Sequence, residues 1–353
     1  MKSILIIRPS AIGDIVMASP MIRVLRRSYP RARIAWLVEP NLGDLLRHNP
    51  ALDEVIVWDK SRWKRLLRSG RLVALLREVR LFREELRRHR FQLALDAQGL
   101  FRSRLLSWLS GATERVGLDS GEPGKFLMGK IVSRGENIKR ISSEYYHLME
   151  TLGLCVDDFR MDVAVSSKAE QAGREKVQEA GIDGAYAVFC PFTTRPQKHW
   201  FEDRWAKLAV ALHEQTALPV VLLGGPEDFE AGRRIQSQAQ GRVRAMTGLT
   251  TLEQSAAIVK SAHLVIGVDT GLTHMGIAFD RPTIAIFGAT CPYLDTGTPN
   301  AVVLYEKLPC SPCKRSPTCQ GDFRCMKLID LERVLHTARE MLEKRNVYSM
   351  GNP

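Results

Sequence analysis

The sequence predicts an α/β protein built from two parallel sheets, one from each half of the chain, with helices on both faces. Three observations carry this. Apolar runs of four or five residues recur in both halves. Helix-spaced stretches, not hairpin turns, separate them, as parallel strands require. At 353 residues the chain is too long for one ordinary core, so two domains are expected.

In order, Ser3–Ile7 reads as a strand whose apolar run ends at Arg8, and Ile12–Ser28 as a helix. Ile34–Val38, Val55–Trp58 and Leu93–Asp96 read as further strands. Tyr145–Leu152 reads as a helix ending at Gly153. The polar, acidic stretch with Asp157 and Asp158 that follows marks the boundary, placed between residues 165 and 166. The second half repeats the style. Ala187–Cys190 is a strand, Trp205–Gln215 a helix, and Val220–Leu223 a strand closed by Gly224-Gly225-Pro226. Leu252–Lys260 is a helix, Leu264–Gly267 and Thr283–Phe287 are strands, and Leu331–Arg345 is a terminal helix. The domains expected are thus 1–165, 166–330 and a C-terminal helix segment 331–353.

Composition excludes several classes. With 45% apolar and 25% charged residues the chain is not a disordered one. No apolar run approaches the ~18 residues of a membrane span. Ile4–Ile7 is too short for a signal peptide. Seven cysteines without an export signal point to reduced thiols or metal binding more than to a disulfide framework. The net charge of +12 is lopsided: residues 1–165 hold 29 Lys/Arg against 19 Asp/Glu. Lys60–Arg90 is densest, with 12 basic residues against Glu78, Glu84 and Glu85. Trp63, Leu66, Leu67, Leu72, Leu75, Leu76, Val79, Phe82 and Leu86 run through it at helical spacing, giving one or two basic amphipathic helices. Three readings stay open for this stretch: a solvated helix face, a surface for anionic lipid or a phosphorylated acceptor, and a nucleic-acid surface. No nucleic-acid module accompanies it.

Four segments have the makings of a site, each following a strand. In Arg8-Pro-Ser-Ala-Ile-Gly-Asp14, Asp14 falls at a helix start, where it is either a cap or a functional carboxylate. The segment has neither G-x-G-x-x-G nor a P-loop. Pro191–Trp200 offers the Thr193 and Thr194 hydroxyls and the charges of Arg195 and Lys198. This suits a phosphate, or else it is a polar loop anchored by Trp200. Gly224–Asp228 places Glu227 and Asp228 where they meet ribose hydroxyls or cap the next helix. Val268-Asp-Thr-Gly-Leu-Thr-His274 presents backbone N–H groups at a helix start, an anion site. Ligands bind open α/β sheets at such strand ends.

Together these segments resemble glycosyltransferase family 9, the bacterial heptosyltransferases of lipopolysaccharide assembly. The stretches that carry the resemblance are IIRPSAIGDIVMASP, LALDAQGLFRSRLLSWLSGATERVG, FCPFTTRPQKHW, LLGGPEDFE, LTGLTTLEQSAAIVKSAHLVIGVDTGLTHMGIAFDRPTIAIFGAT and CSPCKRSPTCQGDFRCM, in family order. The resemblance implies a GT-B fold, two Rossmann-like domains facing each other across a cleft, with the C-terminal helix crossing back to the first. It implies an inverting transferase that takes a heptose from ADP-heptose, with no metal required. The acceptor is the lipid A–Kdo type inner core, at the cytoplasmic face of the inner membrane, where the enzyme is peripheral. By the same resemblance Asp14 is the general base and Lys198 the phosphate-binding group. Thr193, Thr194, Glu227, Thr250, Asp269, Thr270, Gly271, Leu272 and His274 surround the nucleotide-sugar. Arg102, Ser103 and Arg104, with Arg62, Lys64 and Arg65, are acceptor-side candidates. The partners expected are the donor, the acceptor and an anionic membrane surface, with no nucleic acid. Another glycan or a protein as acceptor is the alternative, and a non-enzymatic basic binding protein the distant one.

The tail Cys310-x2-Cys313-x5-Cys319-x5-Cys325 packs four thiols into 16 residues. A structural Zn or Fe, reduced thiols and a disulfide are its open readings. Cys155, Cys190 and Cys291 are expected to be small buried residues.

Overall fold

The computed structural model describes residues 1–136, 139–290 and 292–344 in full, and the helical backbone of 345–350. Two compact units divide between Ala164 and Val165, except that residues 139–141 group with the second.

The first unit runs β1 (Ser3–Ile7), α1 (Ile12–Ala18), α2 (Pro20–Ser28), β2 (Arg33–Val38), β3 (Glu54–Val57), α3 (Lys60–Arg68), α4 (Leu72–Arg88), β4 (Leu93–Asp96), α5 (Phe101–Leu109), β5 (Glu114–Leu118), β6 (Lys130–Val132) and α6 (Ser143–Thr151). Its strands are all parallel, in the order β3-β2-β1-β4-β5-β6. Alternate residues feed opposite faces. Ile4, Ile6, Ile34 and Trp36 pack with Met21, Ile22, Tyr145 and Leu148. Leu5, Ile7, Ala35 and Leu37 pack with Leu86, Phe91, Leu106 and Leu109. Burial on both faces is why the central strands read as unbroken apolar runs.

The second unit runs α7 (Ser167–Glu179), β7 (Ala187–Cys190), α8 (Glu202–Thr216), β8 (Val220–Leu222), α9 (Phe229–Gln238), β9 (Val243–Ala245), α10 (Leu252–Ser261), β10 (Leu264–Val268), α11 (Gly271–Ala278), β11 (Thr283–Phe287), β12 (Ala301–Tyr305), α12 (Arg324–Lys327) and α13 (Leu331–Met350). Its parallel order is β12-β11-β10-β7-β8-β9. Counted within each unit, both sheets therefore have the doubly wound order, with one reversal each: β1/β4 in the first and β7/β10 in the second. Ligands bind at such reversals, beyond the carboxyl ends of the strands. Register makes the ends level: Ile7 pairs with Asp96, and Cys190 with Gly267.

Glycine lets α11 sit tightly on its strand. A Cβ on Gly267 would lie 2.1 Å from Thr273 Oγ1 and 2.8 Å from Cys190 Cβ. The C-terminal helix α13 lies against α8 and β11. Val334, Leu335, Ala338 and Met341 join the core that contains Trp200 and Trp205. Among the described residues, no helix is long and apolar enough to cross a membrane.

Some local expectations are corrected. The helix expected over Ile12–Ser28 is two helices, broken at Ser19–Pro20. Pro20 has no N–H to continue the ladder. The Ser19 hydroxyl donates to Val16 O at 2.6 Å and accepts from Asp162 N at 2.7 Å. Four strands (β5, β6, β9, β12) and three helices (α5, α7, α12) were not expected. Cys155 is exposed, its thiol 3.0 Å from Asp157 Oδ2, because it follows α6 in a surface connection. Cys190 is buried in β7; Cys291 lies outside the described residues.

Candidate active site

In the first unit the reversal point is occupied by the loop after β1. Asp14 is the third residue of α1 and reaches back to the helix start, where Oδ2 accepts from Ala11 N at 3.1 Å. The cap reading is thus satisfied, but it uses one oxygen. The same Oδ2 meets Arg8 Nη2 at 2.6 Å, with Arg8 7% and Asp14 38% exposed at the side chain. Asp14 Oδ1 has no hydrogen-bond partner among the described residues. Arg8 is fixed by a bond to Ala97 O at 3.0 Å and lies over the Tyr145 ring. Burial opposes the Arg8 charge, but Tyr145, Asp14 and Glu144 outweigh it and raise its pKa. Gln98 follows β4 and donates to Ser10 O at 3.0 Å, tying the two strand-end loops together.

Two other carboxylates lie at this edge, both less accessible. Asp96 is fully buried, accepts from Gln98 N and Gly99 N, and is pushed up by that burial. Glu39 accepts from Ser10 Oγ at 3.0 Å and pairs with Lys60 at 2.6 Å. What sets Asp14 apart is access: its side chain is 38% exposed, against 19% for Glu39 and none for Asp96.

The acceptor-side candidates do not come together as expected. Ser103 and Arg104 are fully buried. Ser103 Oγ bonds the Leu100 backbone at both its N–H and its carbonyl. Arg104 donates to Glu122 O, Pro123 O and Ser120 Oγ, holding the loop after β5. These two are corrected to structural supports, because a side chain with no exposed surface cannot meet a ligand. Arg102 is half-buried on α5. Arg62, Lys64 and Arg65 are exposed on α3, and Arg62 pairs with Glu78 at 2.6 Å.

In the second unit, the reversal point gathers charge around Asp269, directly after β10. Lys198, from the loop after β7, reaches Asp269 Oδ2 at 2.5 Å and its carbonyl at 3.2 Å. Thr290 Oγ1 donates to Oδ2 at 2.6 Å, and His274 Nε2 lies 3.2 Å from Oδ1. Tyr293 Oη sits 2.5 Å from His274 Nδ1. Burial keeps the Tyr293 phenol protonated, raised well above its usual value. Burial would also raise Asp269, but its His274 and Lys198 partners outweigh this and hold it well below the usual carboxylate range. The sign of the resulting pH dependence is fixed. A depressed carboxylate stabilises the fold fully above its unfolded pKa of about 3.9, and that share is lost as pH falls further. Asp269→Asn is therefore expected to cost about 3–5 kcal/mol, the cost of breaking a buried pair. Melting curves should show the gap from wild type widest above about pH 4 and narrowing below it. A gap that is constant down to about pH 2 would contradict the assignment.

His274 is 2% exposed with both ring nitrogens engaged, so it supports Asp269 from behind. Thr270, Gly271 and Leu272 are half-buried at the start of α11, where the first amides have no intrahelical partner. In the Pro191–Trp200 loop, Thr193 O accepts from His199 Nε2 at 2.7 Å, and Thr194 is exposed. Trp200 is buried and donates to Ile329 O at 2.9 Å, so the loop is both anchored and polar. After β8, Asp228 Oδ2 accepts from Gly225 N at 2.8 Å and is the cap, leaving Glu227 exposed. After β9, Thr250 Oγ1 lies 2.7 Å from Ser255 Oγ. Asp269, Lys198, Glu227 and Thr250 thus follow four consecutive strands, β10-β7-β8-β9. At about 4.8 Å per strand, that edge is roughly 14 Å long.

Arg8, Gln98, Thr290 and Tyr293 were not expected at the sites. Arg8 and Gln98 were readable as strand-end neighbours; Thr290 and Tyr293 reach Asp269 and His274 from a loop that only the fold brings near. Of the open readings of the cysteine tail, structural metal and a disulfide find no support. Among the described residues no three His, Cys, Asp or Glu side chains are placed to hold a metal ion, and the six described cysteines are free. Burial pushes the Cys313 and Cys325 thiols up, and the neighbouring thiols add to it.

Two doubly wound sheets, each with a polar site at the carboxyl ends of its strands, are the parts of a GT-B fold. The model of glycosyltransferase family 9 (heptosyltransferase) matches residues 79–322, and the chain belongs to that family. It is 28% identical over 349 residues to lipopolysaccharide heptosyltransferase 1 of Pseudomonas aeruginosa, covering 94% of this chain and 91% of that protein. The family 9 glycosyl transferase from Veillonella parvula superposes with a TM-score of 0.80 at 22% identity, covering 97% of each chain. The E. coli heptosyltransferase WaaC, solved with ADP-2-deoxy-2-fluoro heptose, superposes with a TM-score of 0.73 at 24% identity, covering 96% of this chain and 99% of that one.

Proposed function

We propose that the enzyme moves a heptose from ADP-heptose to the lipid A–Kdo type inner core of lipopolysaccharide, inverting the anomeric centre. The observation that carries this is the cationic arrangement at the β7/β10 reversal: Lys198 clasped by Asp269 beside the open amides of α11. A diphosphate there meets one ammonium and several N–H donors, which suits a leaving group that gains charge. Asp269 positions Lys198, and His274 and Tyr293 position Asp269. Glu227, one strand along, is free to accept from ribose hydroxyls, and Thr250, one further, lies where the base would end.

Asp14 supplies the other half. Its Oδ2 is tied to Arg8 and the helix start, while Oδ1 is free to take a proton. The acceptor hydroxyl oxygen forms a bond to the anomeric carbon as the bond from that carbon to the ADP oxygen breaks. The hydroxyl proton passes to Asp14, and ADP carries away the electron pair. Arg62, Lys64, Arg65 and Arg102 suit an anionic acceptor. This acceptor would place the enzyme peripherally at the cytoplasmic face of the inner membrane, with anionic lipid beside it.

The test is incubation with ADP-heptose and a panel of truncated core acceptors, with products read by mass. One added heptose on an inner-core acceptor, with ADP released, is the expected result. Transfer only to a protein or to another glycan would overturn the acceptor assignment.

A further inference from the structure

The helices α3 and α4 form a hairpin whose inner side is fully accounted for. Trp63, Val79, Phe82 and Leu86 pack onto the first sheet, with Trp63 edge-on to Trp58 and Phe82. The tip is different. Leu67 is 58% exposed, Leu72 54%, Val73 83% and Leu76 68%. Four large aliphatic side chains within ten residues stand in solvent at one end of a hairpin. Scattered exposed leucines need no explanation, but a contiguous apolar tip does.

The exposure is not fraying. The turn between the helices is closed by a Schellman pair, Arg71 N to Leu66 O at 3.0 Å and Gly70 N to Leu67 O at 3.2 Å. Gly70 sits at φ +68, the conformation this turn requires, and nothing lies within 4 Å of where its Cβ would be. The tip is built and stands clear.

Cations surround it. Lys64, Arg65, Arg68, Arg71 and Arg77 are exposed and make no ion pair among the described residues. A second copy of the chain is a poor occupant, since a twofold contact through this tip would set five unpaired cations against their equals. An anionic bilayer satisfies both features at once: headgroups meet the cations while the acyl region takes the aliphatic tip.

We propose that the α3–α4 tip inserts Leu67, Leu72, Val73 and Leu76 into an anionic bilayer, with the surrounding Lys and Arg on its headgroups. The purpose of this contact rests on the reading of a lipid-borne acceptor; its test does not. The full-length protein is sedimented with phosphatidylcholine vesicles, with or without about one-third phosphatidylglycerol and with no acceptor present. Wild type should bind the anionic vesicles, and raising the salt should weaken the binding. The triple variant Leu72→Ser, Val73→Ser, Leu76→Ser should bind at least about tenfold more weakly. So should Arg68→Glu with Arg71→Glu. Unchanged melting temperatures show that both variants fold. Turnover on a deacylated, water-soluble acceptor should match wild type in both, while turnover on a vesicle-borne acceptor falls. Failure of all variants and wild type to transfer would sink the proposed activity but leave the vesicle result standing. The inference is overturned if wild type ignores anionic vesicles, or if the serine variant binds them as wild type does. Salt-sensitive binding to polyuridylate without vesicle binding, or a dimer abolished by the serine substitutions, would overturn it as well.

Discussion

Asp14→Asn is expected to lower turnover by about 10²–10⁴-fold, the usual contribution of a positioned general base. Binding of ADP should be unchanged, because the residues proposed for the nucleotide lie at the strand ends of the other unit. Asparagine is close in shape, and its side-chain oxygen still accepts from Ala11 N. What it loses is the ability to take a proton, together with the charge opposite Arg8. Arg8 keeps its bond to Ala97 O, so the loop retains a tether. The check is kcat with ADP-heptose beside a calorimetric Kd for ADP. Loss of kcat with an unchanged Kd supports the assignment; undiminished turnover removes Asp14 as the base.

Lys198→Ala is expected to act on the donor side, lowering kcat/KM by about 10²–10³-fold. That is the scale seen when one donor to a developing negative charge is removed. The ammonium is held ready by Asp269 at 2.5 Å rather than being recruited from solvent. Removing it also leaves Asp269 with Thr290 and His274 as its side-chain partners, so a loss of stability accompanies the loss of rate and is read separately by melting. Lys198→Arg should not restore the rate, since a planar guanidinium does not replace a compact ammonium in this niche. A normal kcat/KM in the alanine variant would contradict the role.

Local chemistry explains which parts of the fold were legible in the sequence. β1, β4, β7 and β11 have the bounds that the apolar runs mark, because central parallel strands are buried on both faces and carry no polar interruption. β5, with Glu114 and Arg115, and the three-residue β6 and β9 lie toward the sheet edges, and their mixed composition hides them. β12 was within reach, since Ala301–Tyr305 is an unbroken apolar run. The break at Ser19–Pro20 was also available from the proline alone.

The site divides in the same way. Asp14, Lys198 and Asp269 are visible because each lies between the carboxyl end of a strand and the first turn of the next helix. Arg104 shows the limit: its charge suggests a surface role, while three carbonyl and hydroxyl partners from a later loop enclose it. Tyr293 is 19 residues from His274 and touches it only because β10 and β11 are neighbours. Such contacts belong to topology, and no local pattern announces them.

The central claim is a single displacement, with Asp14 as the base and a diphosphate as the leaving group. Retention would need a second carboxylate as nucleophile, about 5 Å from the first. Among the described carboxylates at this edge, Asp96 is fully buried and Glu39 is held by Lys60 and only 19% exposed, which sets both against a nucleophilic role. The most direct measurement is the anomeric configuration of the transferred heptose, read by NMR on product made from a donor of known anomer. The account predicts inversion in every molecule of product. Retention, or a heptosyl group trapped covalently on the enzyme, would contradict it.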